Sequence, residues 1–278
     1  MFVFWGVVKI KTMQDKFNIK KRLGQNFLIN KGIIKKIVER AEIKDSVVIE
    51  IGPGFGALTK ELLKTAKKVI AVEKDEEIAL KLKDIFKEQT NFEFIFGDFL
   101  KIDLQKIVND NIKYGNVKIC ANLPYYITSL AIVKILETNY IKSATLMVQK
   151  EAAKRLCAKP GDKNCGSISV FVNYYSYPKI MFNVSKRSFF PVPKVDSSVI
   201  QLILKNTNKT NLKEEVFFRL VRASFGKRRK KITNPVCEEF GLKKEYLVSI
   251  LKKLGLSGEE RAENLTLEQF IVLSNFLS

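Results

Sequence analysis

Between residues 30 and 204, short apolar runs alternate with segments whose apolar residues recur every three or four positions. The runs at 47–51, 69–73, 92–96, 117–121, 144–148, 180–184 and 199–204 have strand length, and most are rich in Val, Ile or Phe, so they read as strands. Residues 57–66, 76–87 and 129–137 show the spacing of amphipathic helices. This alternation predicts an α/β fold, a Rossmann-like doubly wound sheet of seven strands, mostly parallel. Residues 168–175 are ambiguous: Ser-Val-Phe-Val-Asn alternates like a strand, while its flanks suit a helix. After residue 204 the pattern changes. Residues 205–211 are polar linker material, and 213–225, 243–253 and 267–276 carry helical stripes, with Asn234-Pro235 and Gly241 breaking the run. The expected organisation is an extension at 1–17, an α/β domain at 18–205 and a small all-helical domain at 206–278.

Composition narrows the partners. Lys and Arg number 49 against 29 Asp and Glu, a formal charge of +20, so the surface attracts polyanions. Nucleic acid is the first candidate and an anionic membrane surface the second. The chain has no histidine, which excludes Ser-His and Cys-His catalysis and His-containing zinc sites. Its four cysteines, Cys120, Cys157, Cys165 and Cys237, form no C-x-x-C pair, so neither a metal nor a disulfide framework is expected. The apolar stretch at the N-terminus is short and lacks a preceding basic region and a cleavage site; Met13 is an alternative start. No run is long enough to span a bilayer, and the expected setting is a reducing cytoplasm.

Candidate chemistry gathers at strand ends. Glu50-Ile51-Gly52-Pro53-Gly54-Phe55-Gly56 closes the first strand and opens a helix, letting the backbone turn tightly against a nucleotide-like cofactor. Glu73 closes the second strand about 20 residues later, where a carboxylate accepts hydrogen bonds from ribose hydroxyls. Gly97-Asp98 closes the third. The proline and tight glycine spacing disfavour a nicotinamide cofactor. After the fourth strand come Asn122-Leu123-Pro124-Tyr125-Tyr126, which offer an amide, carbonyl acceptors and a π-face to a planar ligand bearing an amino group.

The order Glu-x-Gly-x-Gly, Glu73, Asp98 resembles class I S-adenosylmethionine-dependent methyltransferases. Asn-Leu-Pro-Tyr is similar to their motif for exocyclic amino groups. Gly24-Gln25-Asn26-Phe27-Leu28, the run from Phe189-Phe190-Pro191 to Ser198, Arg222-Ala223-Ser224-Phe225 and Arg228-Arg229-Lys230 extend the likeness. Together they resemble the small-subunit (16S) rRNA adenine N6,N6-dimethyltransferase family, of the KsgA type, over residue 18 to the C-terminus. The resemblance implies S-adenosyl-L-methionine as cofactor, S-adenosyl-L-homocysteine as product and no metal. It places Asn26, Leu28, Gly52, Gly54, Glu73, Asp98 and Asn122 around the cofactor. Asn122, Leu123, Pro124 and Tyr125 would grip the target adenine, with Phe189 stacking opposite Tyr125 and either Phe189 or Phe190 left to pack the core.

The run Lys227, Arg228, Arg229, Lys230, Lys231, extended by Arg222, is expected to bind phosphates without reading sequence. The implied partner is 16S rRNA in an immature 30S subunit, met by a monomeric enzyme that modifies two adjacent adenosines of the 3′-terminal hairpin. Two alternatives share the fold: a 23S rRNA dimethylase of the macrolide-resistance type, and a non-catalytic ribosome-assembly or RNA-binding factor. Gly161-Asp162-Lys163 through Gly166-Ser167 and the Arg222 to Lys231 segment look like the small-subunit enzyme.

Overall fold

The structure, a computed structural model, describes residues 26–205, 212–227 and 230–277. The expected extension at 1–17, Gly24, Gln25, Arg228 and Arg229 therefore lie outside the described residues. In chain order the strands are β1 (Phe27–Leu28), β2 (Val47–Ile51), β3 (Lys68–Glu73), β4 (Phe92–Phe96), β5 (Val117–Asn122), β6 (Ile141–Gln149), β7 (Ser176–Val184), β8 (Phe189–Phe190) and β9 (Ser197–Leu204). The helices are α1 (Lys31–Ala41), α2 (Ala57–Leu62), α3 (Glu76–Ile85), α4 (Leu104–Asn111), α5 (Thr128–Glu137), α6 (Lys150–Leu156), α7 (Ser167–Tyr175), α8 (Leu212–Gly226), α9 (Thr233–Phe240), α10 (Lys244–Lys253) and α11 (Leu267–Phe276).

Seven strands form one sheet in the order β4-β3-β2-β5-β6-β9-β7. The first five in that order run parallel, and β9 and β7 join antiparallel. All of β2 is buried, as a strand covered by helices on both faces must be. At the edge, β7 is largely exposed or half-covered and carries Pro178, which a central strand would not tolerate. Because the order reverses between β2 and β5, their carboxyl ends flank a crevice, and the glycine loop and Asn122 sit there.

The ambiguous stretch at 168–175 is helical. Ser169 accepts the Gly166 N–H at 2.9 Å, starting a helix. Its continuous apolarity reflects burial on two sides: Val172 and Tyr175 enter the main sheet core, and Val170 enters the core of the C-terminal helices. Asn234-Pro235 does not interrupt the helical run as expected. Pro235 lies in the first turn of α9, where backbone N–H groups have no intrahelical partner to lose. Gly241, at φ +65°, does end that helix.

The helical region is not closed at residue 205. Its core of Phe217, Leu220, Leu247, Ile250, Phe270 and Leu273 takes in Cys165 and Val170 from the α/β region. Glu214 of α8 is buried and accepts hydrogen bonds from Tyr174 (3.1 Å) and Tyr175 (3.2 Å) at the end of α7. Burial, and then that carboxylate, hold the Tyr174 phenol up to about 12.

Candidate active site

One cavity of about 240 Å³ lies at the carboxyl ends of β2, β3, β4 and β5. Asn26, Leu28, Gly52, Gly54, Glu73, Asp98, Asn122, Leu123, Pro124 and Tyr125 all line it, although they come from widely separated parts of the chain. Gly54 sits at φ +54°, and a Cβ there would stand 2.9 Å from the Phe27 ring, so only glycine lets the loop close against β1. Gly52, at φ +62°, turns the backbone back beneath Pro124.

The carboxylates are held by backbone. Glu73 Oε1 accepts the N–H groups of Lys74 (2.9 Å) and Asp75 (3.0 Å), which fixes the side chain at the cavity wall. Burial raises its pKa above the usual carboxylate range, and those two N–H groups act in the opposite sense. Asp98 Oδ1 accepts the Leu100 N–H at 2.9 Å. Glu50 is 1% exposed, and its Oε2 is buried without a close hydrogen-bond partner among the described residues. Burial pushes the Glu50 carboxyl up to about 8, with Thr59 lowering and Glu73 raising it further. Burial thus favours the protonated form of this carboxyl.

In the loop after β5, the Asn122 side-chain amide donates to the Asn26 carbonyl at 3.1 Å. Amide nitrogen thus faces β1, and the side-chain oxygen is left for the cavity. The Pro124 carbonyl is occupied by the Ile127 N–H (3.1 Å) and the Thr128 hydroxyl (3.4 Å). Leu123 is buried, and its N–H donates to Met147, which anchors the loop to β6. Half-buried Tyr125 meets the Ser197 hydroxyl at 3.1 Å, and burial raises its phenol.

Phe189 does not fit its expected stacking role. It is 1% exposed and packs with Leu28, Met147 and Val199 in a second core cluster. β1 and β8 pair antiparallel with Leu28 opposite Phe189 and Phe27 opposite Phe190. Directly opposed residues share a face, so the two core residues point one way and Phe27 and Phe190 the other. Phe190 is the partly exposed ring.

The basic run is partly neutralised. Lys227 bonds Glu238 at 2.5 Å and Lys231 pairs with Glu259. Lys230 is exposed, and Arg222 borders a separate cavity with Glu137, Glu214 and Glu215. Sequence reasoning missed Lys74 as a cavity residue, and it gave Phe55 and Tyr126, quoted within their loops, no individual role. The Phe55 ring packs tilted against Phe27, centroids 4.2 Å apart, and the Lys74 ammonium lies 4.8 Å from the centre of the Tyr126 ring. Each adjoins a recognised motif residue, but a side chain's neighbours across the crevice are invisible to periodicity. No group of His, Cys, Asp and Glu that could hold a metal occurs among the described residues.

A sheet of this order with a glycine loop after β2 and carboxylates closing β3 and β4 defines the class of S-adenosylmethionine-dependent methyltransferases. The model of the Ribosomal RNA adenine dimethylase family matches residues 16–278, and the chain belongs to that family. It is 41% identical to the Ribosomal RNA small subunit methyltransferase A of Clostridioides difficile over 96% of this chain and 94% of that one. It is 42% identical to its Bacillus pumilus namesake over 94% and 92%. A dimethyladenosine transferase from Plasmodium falciparum superposes with TM-score 0.73 at 32% identity, covering 89% of this chain and 95% of that one. The 23S rRNA methyltransferase ErmE superposes with TM-score 0.72 at 26% identity, covering 91% and 99%.

Proposed function

We propose that the protein transfers methyl groups from S-adenosylmethionine to N6 of two adjacent adenosines in the 3′-terminal hairpin of 16S rRNA, acting as a cytoplasmic monomer on the immature small subunit. The similarity to small-subunit enzymes at 40–42% identity, against 26% to the 23S enzyme, supports the choice of subunit. A non-catalytic factor would have no reason to keep Glu73, Asp98, Asn122 and Tyr125 around one cavity.

The cofactor fits the residues present. Glu73 is oriented by two backbone N–H groups and suits a ribose diol, Asp98 suits an adenine amino group, and the unpartnered Glu50 oxygen suits a polar head. Asn26, Leu28, Gly52 and Gly54 complete that cradle. When bound, the cofactor supplies an activated methyl group.

The observation that carries the proposal is the orientation of Asn122. Adenine N6 is a weak nucleophile because its lone pair is delocalised into the ring. Two acceptors on its hydrogens favour a pyramidal nitrogen and stabilise the positive charge that grows on it. The side-chain oxygen of Asn122 is one acceptor, freed by the bond from its nitrogen to Asn26. With the Pro124 carbonyl occupied, the Leu123 carbonyl is the other. Pro124 fixes the spacing between them, and Tyr125, held by Ser197, offers its ring to the extruded base. Phe190, on the outward face of the β1–β8 ribbon, replaces Phe189 as the opposing ring. The methylated nitrogen is acidic and loses its proton without a base, which suits a chain with no histidine.

Single-turnover methylation of immature small subunits tests this. Asn122→Ala should slow transfer by about 100- to 1000-fold while RNA affinity stays near wild type. Equal losses of rate and affinity would refute the role of Asn122. Methylation of naked 23S rRNA in place of small subunits would refute the target.

A further inference from the structure

The cations of this chain are not equally available. Lys227, Lys231, Lys154 and Arg219 are each held by a glutamate. Lys186, Arg187 and Lys194 are exposed, Lys150 is partly exposed, and none of the four forms an ion pair with a described residue. These four converge on one place. Asp196 Oδ1 accepts the Lys186 backbone N–H at 2.9 Å, and the Asp196 carbonyl accepts the Lys150 N–H at 3.0 Å. Ser197, the next residue, meets the Tyr125 hydroxyl at 3.1 Å. Ser188, directly after Arg187, accepts the Ile29 N–H at 2.9 Å beside β1. The nearby acid is thus engaged with backbone, and the lysine and arginine side chains, exposed or partly exposed, extend from the segments that meet beside the Ser197–Tyr125 contact.

We propose that Lys150, Lys186, Arg187 and Lys194 form a phosphate-binding rim that grips the single-stranded RNA backbone on either side of the target adenosine. This rests on the reading that an RNA adenosine enters the cavity. A base can reach the Asn122 loop only when unstacked, so its flanking phosphates must pass over the segment that holds Tyr125. Lys227 and Lys231, already paired to glutamates, then contribute a smaller share of the phosphate contacts.

Each phosphate contact to a single strand adds about 0.7 to the slope of log affinity against log salt. The test measures binding of a single-stranded RNA of roughly ten nucleotides, containing two adjacent adenosines, by anisotropy over a salt series. Lys186→Ala, Arg187→Ala and Lys194→Ala are combined in one full-length variant. Lys227→Ala, Lys230→Ala and Lys231→Ala form a control of the same charge. The rim variant should lose about 2 from the slope and bind about 100-fold more weakly near 0.1 M salt, whereas the control should lose less than about 0.7. Equal losses in both variants, or a larger loss in the control, would overturn the rim. Thermal midpoints of both variants verify folding, since the substituted side chains are exposed. Methylation of immature small subunits by the wild-type protein is scored alongside. No transfer there would sink the proposed function, while the slopes would still decide the rim.

Discussion

Replacing Glu50 with Gln should make the empty protein more stable at alkaline pH, although a polar group is being altered inside a binding cavity. Glu50 ionises at about 8 in the fold against 4.5 for an ordinary carboxyl, chiefly because burial penalises its charge. The folded state therefore holds the proton more tightly than the unfolded chain. Stability from this group is fully present below about pH 4.5, is lost as pH rises toward about 8, and changes no further above that. The interval amounts to about 5 kcal/mol, at 1.36 kcal/mol for each tenfold change in proton affinity. Gln has nearly the same shape and cannot ionise, so it removes this dependence while other groups titrate equally in both proteins. Urea denaturation without cofactor, at intervals from about pH 5 to about pH 8.5, gives the difference directly. The two proteins should lie within about 1 kcal/mol at the acid end and diverge by several kcal/mol in favour of Gln at the other. A constant difference across the series would show that Glu50 is already ionised, or solvated, in the folded protein.

Further outcomes follow from the same geometry. Glu73→Ala should raise the cofactor dissociation constant by at least about tenfold, since a carboxylate hydrogen bond contributes about 1.5–3 kcal/mol; calorimetry showing unchanged affinity would remove it from the ribose site. Gly54→Ala forces a Cβ into the left-handed region at 2.9 Å from the Phe27 ring. It should cost about 1–2 kcal/mol in thermal or urea stability and weaken cofactor binding together. Phe189→Ala should destabilise by about 3–5 kcal/mol as a core truncation, whereas Phe190→Ala should leave stability near wild type and slow methyl transfer. The reverse pattern would return the stacking role to Phe189.

Much of the fold was legible because parallel strands covered on both faces are near-continuous apolar runs, as at 47–51 and 117–121, each interrupted by a single charged residue, Glu50 and Lys118. The order of acidic residues at successive strand ends was legible for the same reason: each strand end is marked by a Gly, Asp, Glu or Asn that breaks the apolar run. Three things were hidden. Helix α7 looked ambiguous because two cores claim it, so its apolar residues fall all around the helix. The Phe189 and Phe190 pair was undecidable from sequence, since only the pairing of β8 with β1 fixes which ring faces inward. Lys227 and Lys231 looked like free charge because their glutamate partners, Glu238 and Glu259, lie outside the basic run along the chain.

The presence of Cys165 and Val170 in the core of the C-terminal helices sets the unit that can be exchanged between relatives. A graft that swaps only the residues after 205 would carry a recipient's side chains into a foreign interior and leave Glu214 facing unmatched tyrosines. A working chimera must bring the α7 segment along with the helices. What is inherited as one piece in this protein is discontinuous in sequence, so recombination at the visible linker would break it.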